Sequence, residues 1–418
     1  MMLAPLSVTH WPQFFVFVMS LLLRRSAAGF TGTFRRRRWS RTTLTSDSAS
    51  RLSSLPPLSA EPLHWNRETS ERRSYATNTP IVKQANVISL TDIEDPANNP
   101  FNRAAPLPEG VKILAIGATM DDFDVASLER EGANAIFVSH PQAREPLAQL
   151  LTQLPEIEWV HTRSAGIDFV TSPTLESWKG KLTNAKGQFS STLAEYTLMA
   201  CSFFAKDLPR LMRNKKVKCW DKYNVLELRG ATLGIFGQFL FKFSYGDIGR
   251  ACAKLAAVYG MKIIALRRHP KPDPLCNEVY GNDKDSLNRL FAESDYVLCS
   301  APLTAETRGM IGKEQFDHAK EGAVFINLGR GPIVDEVALT DALSNGKLKG
   351  AALDVFTVEP LPNSSPLWEM DNVLLSPHNM DQTATFMHEA TEFYVEENLP
   401  RFVRGQELLN IVDAKAGY

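Results

Sequence analysis

Three ionisable residues in the C-terminal half of the chain each follow a short apolar run of the kind that forms a buried strand. They are Arg330, Glu359 and His378. Because the carboxyl ends of strands in a doubly wound sheet meet at one crevice, residues far apart in sequence can converge there. Each alone has a plain structural explanation, as a loop bridge, a surface acid or a capping residue. Their position at consecutive strand ends favours a catalytic site.

These three side chains together permit proton transfer beside a bound carboxylate. A histidine donates and accepts protons near pH 7, and a neighbouring carboxylate raises its pKa. A guanidinium pairs with a carboxylate through two hydrogen bonds and polarises a carbonyl group. With a nicotinamide in the same crevice, the trio would support hydride transfer to a 2-keto acid. His378 would supply the proton, and Arg330 would hold the acid and its developing charge.

The stretch Leu233–His269 has the order strand, glycine turn, helix, strand. The apolar runs Leu233–Phe236 and Met261–Leu266 predict buried parallel strands, and a helix is predicted from Asp247 to a stop at Gly260. The apolar face of this helix is predicted to contain Ile248, Cys252, Leu255 and Tyr259. Such a unit binds a dinucleotide when glycines let the backbone approach the pyrophosphate at the helix N-terminus.

The glycine turn of this unit departs from the usual G-x-G-x-x-G fingerprint. Gly246 and Gly249 supply its last two glycines, but Ser244 occupies the first position, and Gly237 lies too far upstream. Removing Gln238–Ser244 would leave IFGYGDIGRA, an unbroken fingerprint. We therefore expect an insertion within a dinucleotide-binding turn, either as a true loop or as retained intron in a gene model. A glycine turn without a ligand is the alternative.

Composition limits the classes of protein to which the chain can belong. Its 418 residues leave room for about two to three domains. A formal net charge of −1 gives no reason to expect a nucleic-acid partner. Five cysteines without a C-x-x-C pair argue for a reducing compartment, and against a disulfide framework or a zinc site. No apolar run approaches the length of a membrane helix.

Residues 1–79 have the composition of an organelle-targeting leader, which we expect to be disordered. No acidic residue precedes Asp47, arginines cluster, and serine and threonine fill the gaps. Arg72–Thr77 resembles a mitochondrial cleavage site, whereas Phe14–Leu23 resembles a signal-peptide core and leaves a two-part plastid leader as the alternative. A disordered tail or a misplaced start codon would also explain the segment.

Strands and helices alternate through the rest of the chain. Val111–Gly117, Ala135–Ser139 and Ile157–His161 are predicted strands, followed by Arg163–Asp168, a Ser-Ala-Gly turn whose N–H groups can hold a carboxylate. Thr192–Met212 is predicted to form one long helix, with Thr192 as a possible cap. Later predicted strands are Tyr296–Ser300, Ala323–Asn327, Gly350–Val355 and Val373–Leu375. This alternation predicts parallel α/β sheets.

Several motifs together resemble the D-isomer-specific 2-hydroxyacid dehydrogenases. They are RSAGID, LAEYTL, YGDIGRA, SAPLTAETRGMI, FINLGRGPIVDEVAL, AALDVFTVEPLP and LLSPHNMDQT. The resemblance covers Val111–Leu409 and is most specific over Asp295–His378. It implies an α/β fold of two Rossmann-like domains with parallel sheets flanked by helices, an active site in the inter-domain cleft, and a homodimer.

The resemblance also implies a division of the chain and a role for each site residue. Residues 80–210, completed by 380–418, would form the substrate-binding domain, and 211–379 the dinucleotide-binding domain. Arg330 would be the catalytic arginine, His378 the acid/base and Glu359 its partner. The expected substrate-binding residues are Ser164, Ala165 and Gly166. The expected cofactor-binding residues are Gly246, Asp247, Ile248, Gly249, Arg267, Arg268, Ala301, Pro302, Thr307 and Asp354. No metal is expected.

Arg267 stands where an NAD-dependent enzyme needs an acid for the ribose 2′-hydroxyl. Together with Arg268 it suits a 2′-phosphate by charge and geometry, which predicts NADP(H) as the cofactor, with NAD(H) as the alternative. Two solvated loop arginines would be the simpler explanation.

Because NADPH pools favour reduction, we expect an organellar reductase of the glyoxylate/hydroxypyruvate type acting on a small 2-keto acid. The formate-specific branch of the family lacks the acid–histidine pair, so the resemblance implies that formate is not the substrate. The alternatives are a D-3-phosphoglycerate dehydrogenase-like enzyme, a catalytically silent nucleotide-binding co-regulator, or a mis-spliced chain that folds poorly. No nucleic-acid or membrane partner is expected.

Overall fold

The computed structural model describes residues 80–93, 107–237, 246–267 and 270–416. The predicted leader, the insertion Gln238–Ser244 and Arg268 lie outside these ranges. In the described residues the backbone forms two sheets. None of the helices in these ranges is both long enough and apolar enough to cross a membrane.

The first sheet has six strands in the order β2-β1-β3-β4-β5-β13, and all pairs are parallel except β5 with β13. Its strands are β1 (Ala85–Leu90), β2 (Val111–Gly117), β3 (Ala135–Val138), β4 (Trp159–Thr162), β5 (Lys181–Asn184) and β13 (Ile411–Val412). The helices between them are α1 (Val125–Arg130), α2 (Arg144–Gln153) and α3 (Pro173–Ser177).

The second sheet has seven parallel strands in the order β8-β7-β6-β9-β10-β11-β12. Its strands are β6 (Thr232–Phe236), β7 (Lys262–Leu266), β8 (Glu278–Tyr280), β9 (Tyr296–Cys299), β10 (Ala323–Asn327), β11 (Leu348–Leu353) and β12 (Val373–Leu375). Helices α6 (Asp247–Val258), α7 (Lys284–Glu293), α8 (Lys313–His318) and α9 (Glu336–Ser344) connect them.

Both sheets have a doubly wound strand order. In each, successive strands are added first toward one edge and then, from a single switch point, toward the other edge. In the second sheet the reversal lies between β6 and β9, the arrangement of dinucleotide-binding folds. In the first sheet it lies between β1 and β3. Ligands bind outside the carboxyl ends of strands at such points. The predicted α/β fold class is confirmed, and it places the loops after β9, β10 and β11 around one crevice.

The predicted single helix over Thr192–Met212 is wrong. The chain forms α4 (Ser190–Ala205) and α5 (Leu208–Lys216), separated at Asp207, whose φ of 51° breaks the helical path. Pro209 cannot donate a backbone hydrogen bond in a continuing helix, but it suits the first turn of a new one. Thr192 is not the cap; its hydroxyl donates to the carbonyl of Met380 at 3.0 Å.

Helix α4 packs in the core of the second sheet, against α6. Its buried residues Ala194, Cys201 and Phe204 share a cluster with Cys252 and Ala256 of α6. The chain therefore joins the second core N-terminal to residue 210, where the resemblance placed the boundary between domains.

The C-terminal helices return to the first sheet. They are α10 (Phe386–Phe393), a π-helical turn (Tyr394–Asn398) and α11 (Leu399–Val403). Tyr394 and Phe402 are buried against Phe137 and Trp159, with ring centroids 4.6–5.1 Å apart. Strand β13 then pairs with β5, so residues near both ends of the described chain build one sheet.

Candidate active site

Arg330 joins loops that follow strands of the two different sheets. It stands three residues after β10, and its Nε and Nη2 donate to Oδ1 of Asp168 at 3.2 and 3.0 Å. Asp168 lies in the turn after β4, and Nη1 of Arg330 donates to the carbonyl of Gly329 at 2.9 Å. The guanidinium is thus held from two sides at the mouth of the crevice, where it can bind an anion.

Glu359 and His378 form the predicted acid–histidine pair. His378 Nδ1 lies 2.8 Å from Glu359 Oε2, and Glu359 Oε1 accepts a hydrogen bond from the N–H of Phe356 at 2.9 Å. With Nδ1 donating to the carboxylate, Nε2 is the nitrogen left to exchange a proton with a ligand. The trio inferred from strand ends therefore converges in the structure.

The environment of the pair favours a charged histidine. The hydrogen bond to Glu359 raises the pKa of His378; burial and the Arg330 charge oppose this effect but do not cancel it. Burial alone would raise the pKa of Glu359, but the hydrogen bonds from His378 and Phe356 outweigh it and hold that pKa below its usual value. An imidazolium that persists toward neutral pH is suited to donating a proton.

Asp354 fixes the turn that presents His378. Its Oδ1 accepts from the Ser376 hydroxyl at 2.8 Å and from the N–H of Asn379 at 3.1 Å, and its Oδ2 from the N–H of Met380 at 3.4 Å. His378 itself has a φ of 51°, an uncommon conformation that these contacts support. Burial raises the pKa of Asp354. Its predicted contact with the nicotinamide stays a prediction.

The turn over Ser164–Gly166 faces Arg330. The Ser164 hydroxyl donates to the carbonyl of Gly166 at 2.8 Å, and the Asn184 amide donates to that of Ala165 at 2.6 Å. A Cβ at Gly166 would lie 1.9 Å from Arg330 Nη2, so a side chain at this position would displace the guanidinium from where it lies. Backbone N–H groups opposite a guanidinium form a suitable site for a carboxylate.

A cavity of about 1500 Å³ extends along the crevice. The predicted site residues that line it are Ser164, Ala165, Gly166, Gly246, Asp247, Ile248, Ala301, Pro302, Arg330, Asp354 and His378. Glu359 lies behind His378, and Gly249 is buried in helix α6. The volume exceeds the roughly 300–1,000 Å³ of a drug-sized ligand site, so it can hold a ligand as long as a dinucleotide.

The residues around this cavity fit a dinucleotide. The N-terminus of α6, with Gly246 at a φ of 79°, directs N–H groups into it, as a pyrophosphate requires. Ser300 Oγ, at the end of β9, is buried with no hydrogen-bond partner in the described part of the chain. In the same ranges no group of three His, Cys, Asp or Glu side chains is placed to hold a metal ion.

Besides Gly249, two predicted cofactor residues are not brought to the cavity wall. Thr307 is buried beneath the loop after β9, where its hydroxyl donates to the carbonyl of Pro302 at 2.7 Å and accepts from the N–H of Thr304 at 2.8 Å. It therefore shapes that loop. Arg267 is buried in an ion pair with Asp273. Its guanidinium is therefore not exposed at the surface as a phosphate-binding group would be.

Three charged residues of the site were not singled out from the sequence. Asp168 anchors Arg330, Lys186 lies 3.6 Å from Asp247 across the crevice, and Asp381 lines the cavity. Burial raises the pKa of Asp381, and its Oδ1 has no partner among the described residues. Asp168 and Asp381 could have been found from their motifs, because Asp168 ends RSAGID and Asp381 is three residues after His378. Lys186 lies outside the recognised motifs and had no such signal.

Comparison with known proteins agrees with this geometry. A family model for D-isomer-specific 2-hydroxyacid dehydrogenases, NAD binding domain, matches residues 198–379. The chain is 34% identical to a glyoxylate reductase of Korarchaeum cryptofilum, over 64% of this chain and 79% of that protein. It is 33% identical to a D-3-phosphoglycerate dehydrogenase of Methanocaldococcus jannaschii, over 56% of this chain but 43% of that protein.

Among solved structures, the chain is similar to an NADPH-dependent glyoxylate/hydroxypyruvate reductase from Sinorhizobium meliloti in complex with NADP and sulfate. The TM-score is 0.64 and the identity 26%, over 80% of this chain and all of that one. Fold, site and sequence similarity agree: the chain belongs to the family of D-isomer-specific 2-hydroxyacid dehydrogenases.

Proposed function

We propose that this protein is an NADPH-dependent reductase of small 2-keto acids of the glyoxylate/hydroxypyruvate type. The observation that carries the proposal is the convergence of Arg330 with the Glu359–His378 pair at one cavity. The glyoxylate reductase and the NADPH-dependent glyoxylate/hydroxypyruvate reductase that the chain resembles support the substrate class and the cofactor.

The proposal gives each side chain a task that is compatible with this geometry. Arg330 and the turn over Ser164–Gly166 bind the substrate carboxylate, and Arg330 also stabilises the negative charge that develops on the keto oxygen. A nicotinamide bound in the cavity would supply the hydride to the keto carbon. His378 donates its Nε2 proton to the keto oxygen, which becomes the hydroxyl. Glu359 stabilises the imidazolium before transfer and keeps the ring oriented.

The direct test is NADPH and NADH oxidation with glyoxylate, hydroxypyruvate and phosphohydroxypyruvate. We expect the first two to be reduced with NADPH preferred, and His378→Ala to lower kcat by about 10²- to 10⁴-fold. Preference for phosphohydroxypyruvate would favour the phosphoglycerate dehydrogenase-like alternative. Bound NADPH without turnover of any of the three would favour the silent co-regulator.

The segment Gln238–Ser244 needs its own comparison, because it interrupts the turn that would face the pyrophosphate. We propose assaying two chains that begin at Ala76, one intact and one lacking this segment. Equal activity would mean that the segment is accommodated. Activity in the shortened chain alone would mean that it blocks the cofactor site.

A homodimer is part of the proposal. In the described residues, large apolar side chains are exposed on α5 and just after it: Met212, Val217 and Trp220, the last with 90% of its surface exposed. Clustered exposed apolar groups mark association surfaces. Light scattering after size-exclusion chromatography should report a dimer, and Trp220→Glu should shift it toward monomer.

Mitochondrial targeting is the final part of the proposal, with the plastid as the alternative. It is supported by the arginine-rich, acid-poor composition of residues 1–79. The test is to image a fluorescent protein fused after residue 79. Fluorescence that stays in the cytosol would show that residues 1–79 do not direct the protein to an organelle.

A further inference from the structure

Several carboxyl groups lie within electrostatic range of the positive charges on Arg330 and protonated His378. They are Asp168, Asp354, Glu359 and Asp381. The first three have close partners in the protein. These partners are Arg330 Nη2 for Asp168, the Ser376 hydroxyl for Asp354 and His378 Nδ1 for Glu359. The contacts hold the three carboxyl groups in place, so none of them is free to receive a donor from a substrate.

Asp381 differs from the other three carboxyl groups. Its Oδ1 is buried and has no hydrogen-bond partner in the described part of the chain, yet the residue lines the same cavity as Arg330 and His378. Burial and the nearby charge of Asp354 raise the pKa of this carboxyl group, against the opposite effect of His378 and Arg330. A buried polar oxygen without a partner costs free energy, which a donor on a bound ligand would recover.

The backbone around Asp381 is held on both sides. The N–H of Met380 donates to Asp354 Oδ2 at 3.4 Å, and the carbonyl of Met380 accepts from the Thr192 hydroxyl at 3.0 Å. The carbonyl of Asp381 itself accepts from the N–H of Thr383 at 3.0 Å. Because the terminal torsion of an aspartate is broad, either carboxyl oxygen can turn toward a donor while the turn stays in place.

The proposed reaction leaves one substituent of the keto carbon without a partner. The substrate carboxylate lies on Arg330 and the turn over Ser164–Gly166, and the keto oxygen faces His378. The remaining substituent is a hydrogen in glyoxylate, a methyl group in pyruvate and a hydroxymethyl group in hydroxypyruvate. The last of these carries an O–H donor, and a carboxyl group keeps an acceptor oxygen in either protonation state.

We propose that Asp381 is a specificity-determining residue that accepts a hydrogen bond from the 3-hydroxyl group of a 3-hydroxy-2-keto acid, with hydroxypyruvate as the simplest example. This inference rests on the proposed reductase function and narrows its substrate class. A site that accepts a substrate hydroxyl disfavours the analogue without it, because the acceptor is then left unpaired. In its ionised form Asp381 also repels a substrate that ends in a phosphate. The protein should therefore prefer hydroxypyruvate to both pyruvate and phosphohydroxypyruvate.

The first test is kcat/KM of the full-length protein for hydroxypyruvate, pyruvate and phosphohydroxypyruvate with NADPH. Asp381→Ala should lower the hydroxypyruvate value by about 10- to 100-fold, the value of a hydrogen bond to a charged group, while pyruvate changes by less than about 3-fold. Asp381→Asn keeps a carbonyl acceptor but loses the charge, so it should retain part of the preference and improve the relative use of phosphohydroxypyruvate. Asp317→Asn, an exposed aspartate paired with Lys313, is the control.

The second test does not depend on turnover. Titration calorimetry compares the binding of D-glycerate and D-lactate, the corresponding hydroxy acids, to the same proteins in the presence of NADP. D-glycerate should bind more tightly to the unaltered protein and to Asp317→Asn. Asp381→Ala should remove most of that difference, because the two ligands differ only in the 3-hydroxyl group.

The outcomes separate this inference from the proposed function. If the protein reduces 2-keto acids but Asp381→Ala changes hydroxypyruvate and pyruvate by the same factor, the inference is overturned and the reductase proposal stands. A preference of the unaltered protein for pyruvate or phosphohydroxypyruvate also overturns it. If no keto acid is reduced, but Asp381→Ala abolishes a preference for D-glycerate, hydroxyl recognition by Asp381 stands and the reductase proposal is removed. Equal binding of the two hydroxy acids without turnover overturns both.

Discussion

In the proposed reduction, the proton comes from a histidine whose charge depends on one carboxylate. Glu359 raises the pKa of His378, so the imidazolium persists to higher pH than in a solvated histidine. Reduction requires that form and should slow as pH rises through this pKa, whereas oxidation of the hydroxy acid requires neutral His378 and should accelerate over the same interval.

Glu359→Gln should therefore move the falling limb of the pH profile for reduction to lower pH. The amide keeps a hydrogen bond to His378 but removes the negative charge that favours the imidazolium. The measurement is kcat/KM for glyoxylate as a function of pH, with the exposed Glu369→Gln as control. If the falling limb stays at the same pH while the plateau of kcat/KM is lower, Glu359 orients the His378 ring without setting its charge.

Residue types at strand ends were sufficient to predict that Arg330, Glu359 and His378 converge, but not to predict the groups that hold them. Arg330, Glu359 and His378 follow apolar runs, and the parallel sheet brings such positions together whatever their separation in sequence. Asp168 contacts Arg330 across 162 residues, and Asp273 engages Arg267 from a loop of irregular structure. No periodicity encodes those contacts, so the burial of Arg267 could not be foreseen.

At the scale of elements, the loops after β10 and β11 must touch for Arg330 and Glu359 to share one site. Gly331 makes that contact: a Cβ there would lie 1.8 Å from the backbone carbon of Phe356, the residue whose N–H binds Glu359. Backbone cannot yield as a flexible side chain can. The absence of a side chain at residue 331 thus sets the distance between the loops that carry Arg330 and Glu359.

Gly331→Ala should cost about 1–3 kcal/mol or more of stability through overpacking, and should lower kcat because the loops separate. Gly312→Ala is the matched control, since its Cβ would come no closer than 3.8 Å to Asp335. Chemical denaturation measures the first effect and steady-state kinetics the second. Equal stability of the two variants would mean that the loop contact relaxes without cost.

Elements with continuous apolar sequence were predicted well, and those completed by distant partners were not. The strands over Val111–Gly117, Ala323–Asn327 and Val373–Leu375 have the predicted bounds. Strand β1 escaped prediction because Asn86 and Ser89 interrupt its apolar pattern; the Asn86 amide is satisfied by carbonyls of Glu131 and Gly132, which only the fold brings near.

The buried face of α6 was predicted only in part. Cys252 is fully buried as expected, but Tyr259 is exposed, and the other buried residues of the helix are small: Gly249, Ala251, Ala253 and Ala256. Small residues let α4 and α6 approach closely, so this face is selected by the neighbouring helix and not by hydrophobicity. A count of large apolar residues at helical spacing cannot detect that preference.

An ion pair connects elements of the two sheets beside the cofactor turn. Lys186, two residues after β5, lies 3.6 Å from Asp247, the first residue of α6. Asp247 interacts favourably with the helix N-terminus, but its carboxylate lies where a pyrophosphate is expected. Lys186 offsets that negative charge and at the same time ties the first sheet to the coenzyme turn.

Lys186→Met should weaken NADPH binding by about 2- to 5-fold, because it leaves Asp247 uncompensated beside the pyrophosphate and a partly exposed ion pair contributes up to about 1 kcal/mol. Lys186→Met combined with Asp247→Asn should restore most of the affinity, since the repulsive charge is then gone as well. Fluorescence titration of the unaltered protein, the two single variants and the double variant gives the coupling free energy between the two residues. If the double variant binds as weakly as Lys186→Met, the lysine contacts the cofactor itself, and neutralisation of Asp247 is not its role.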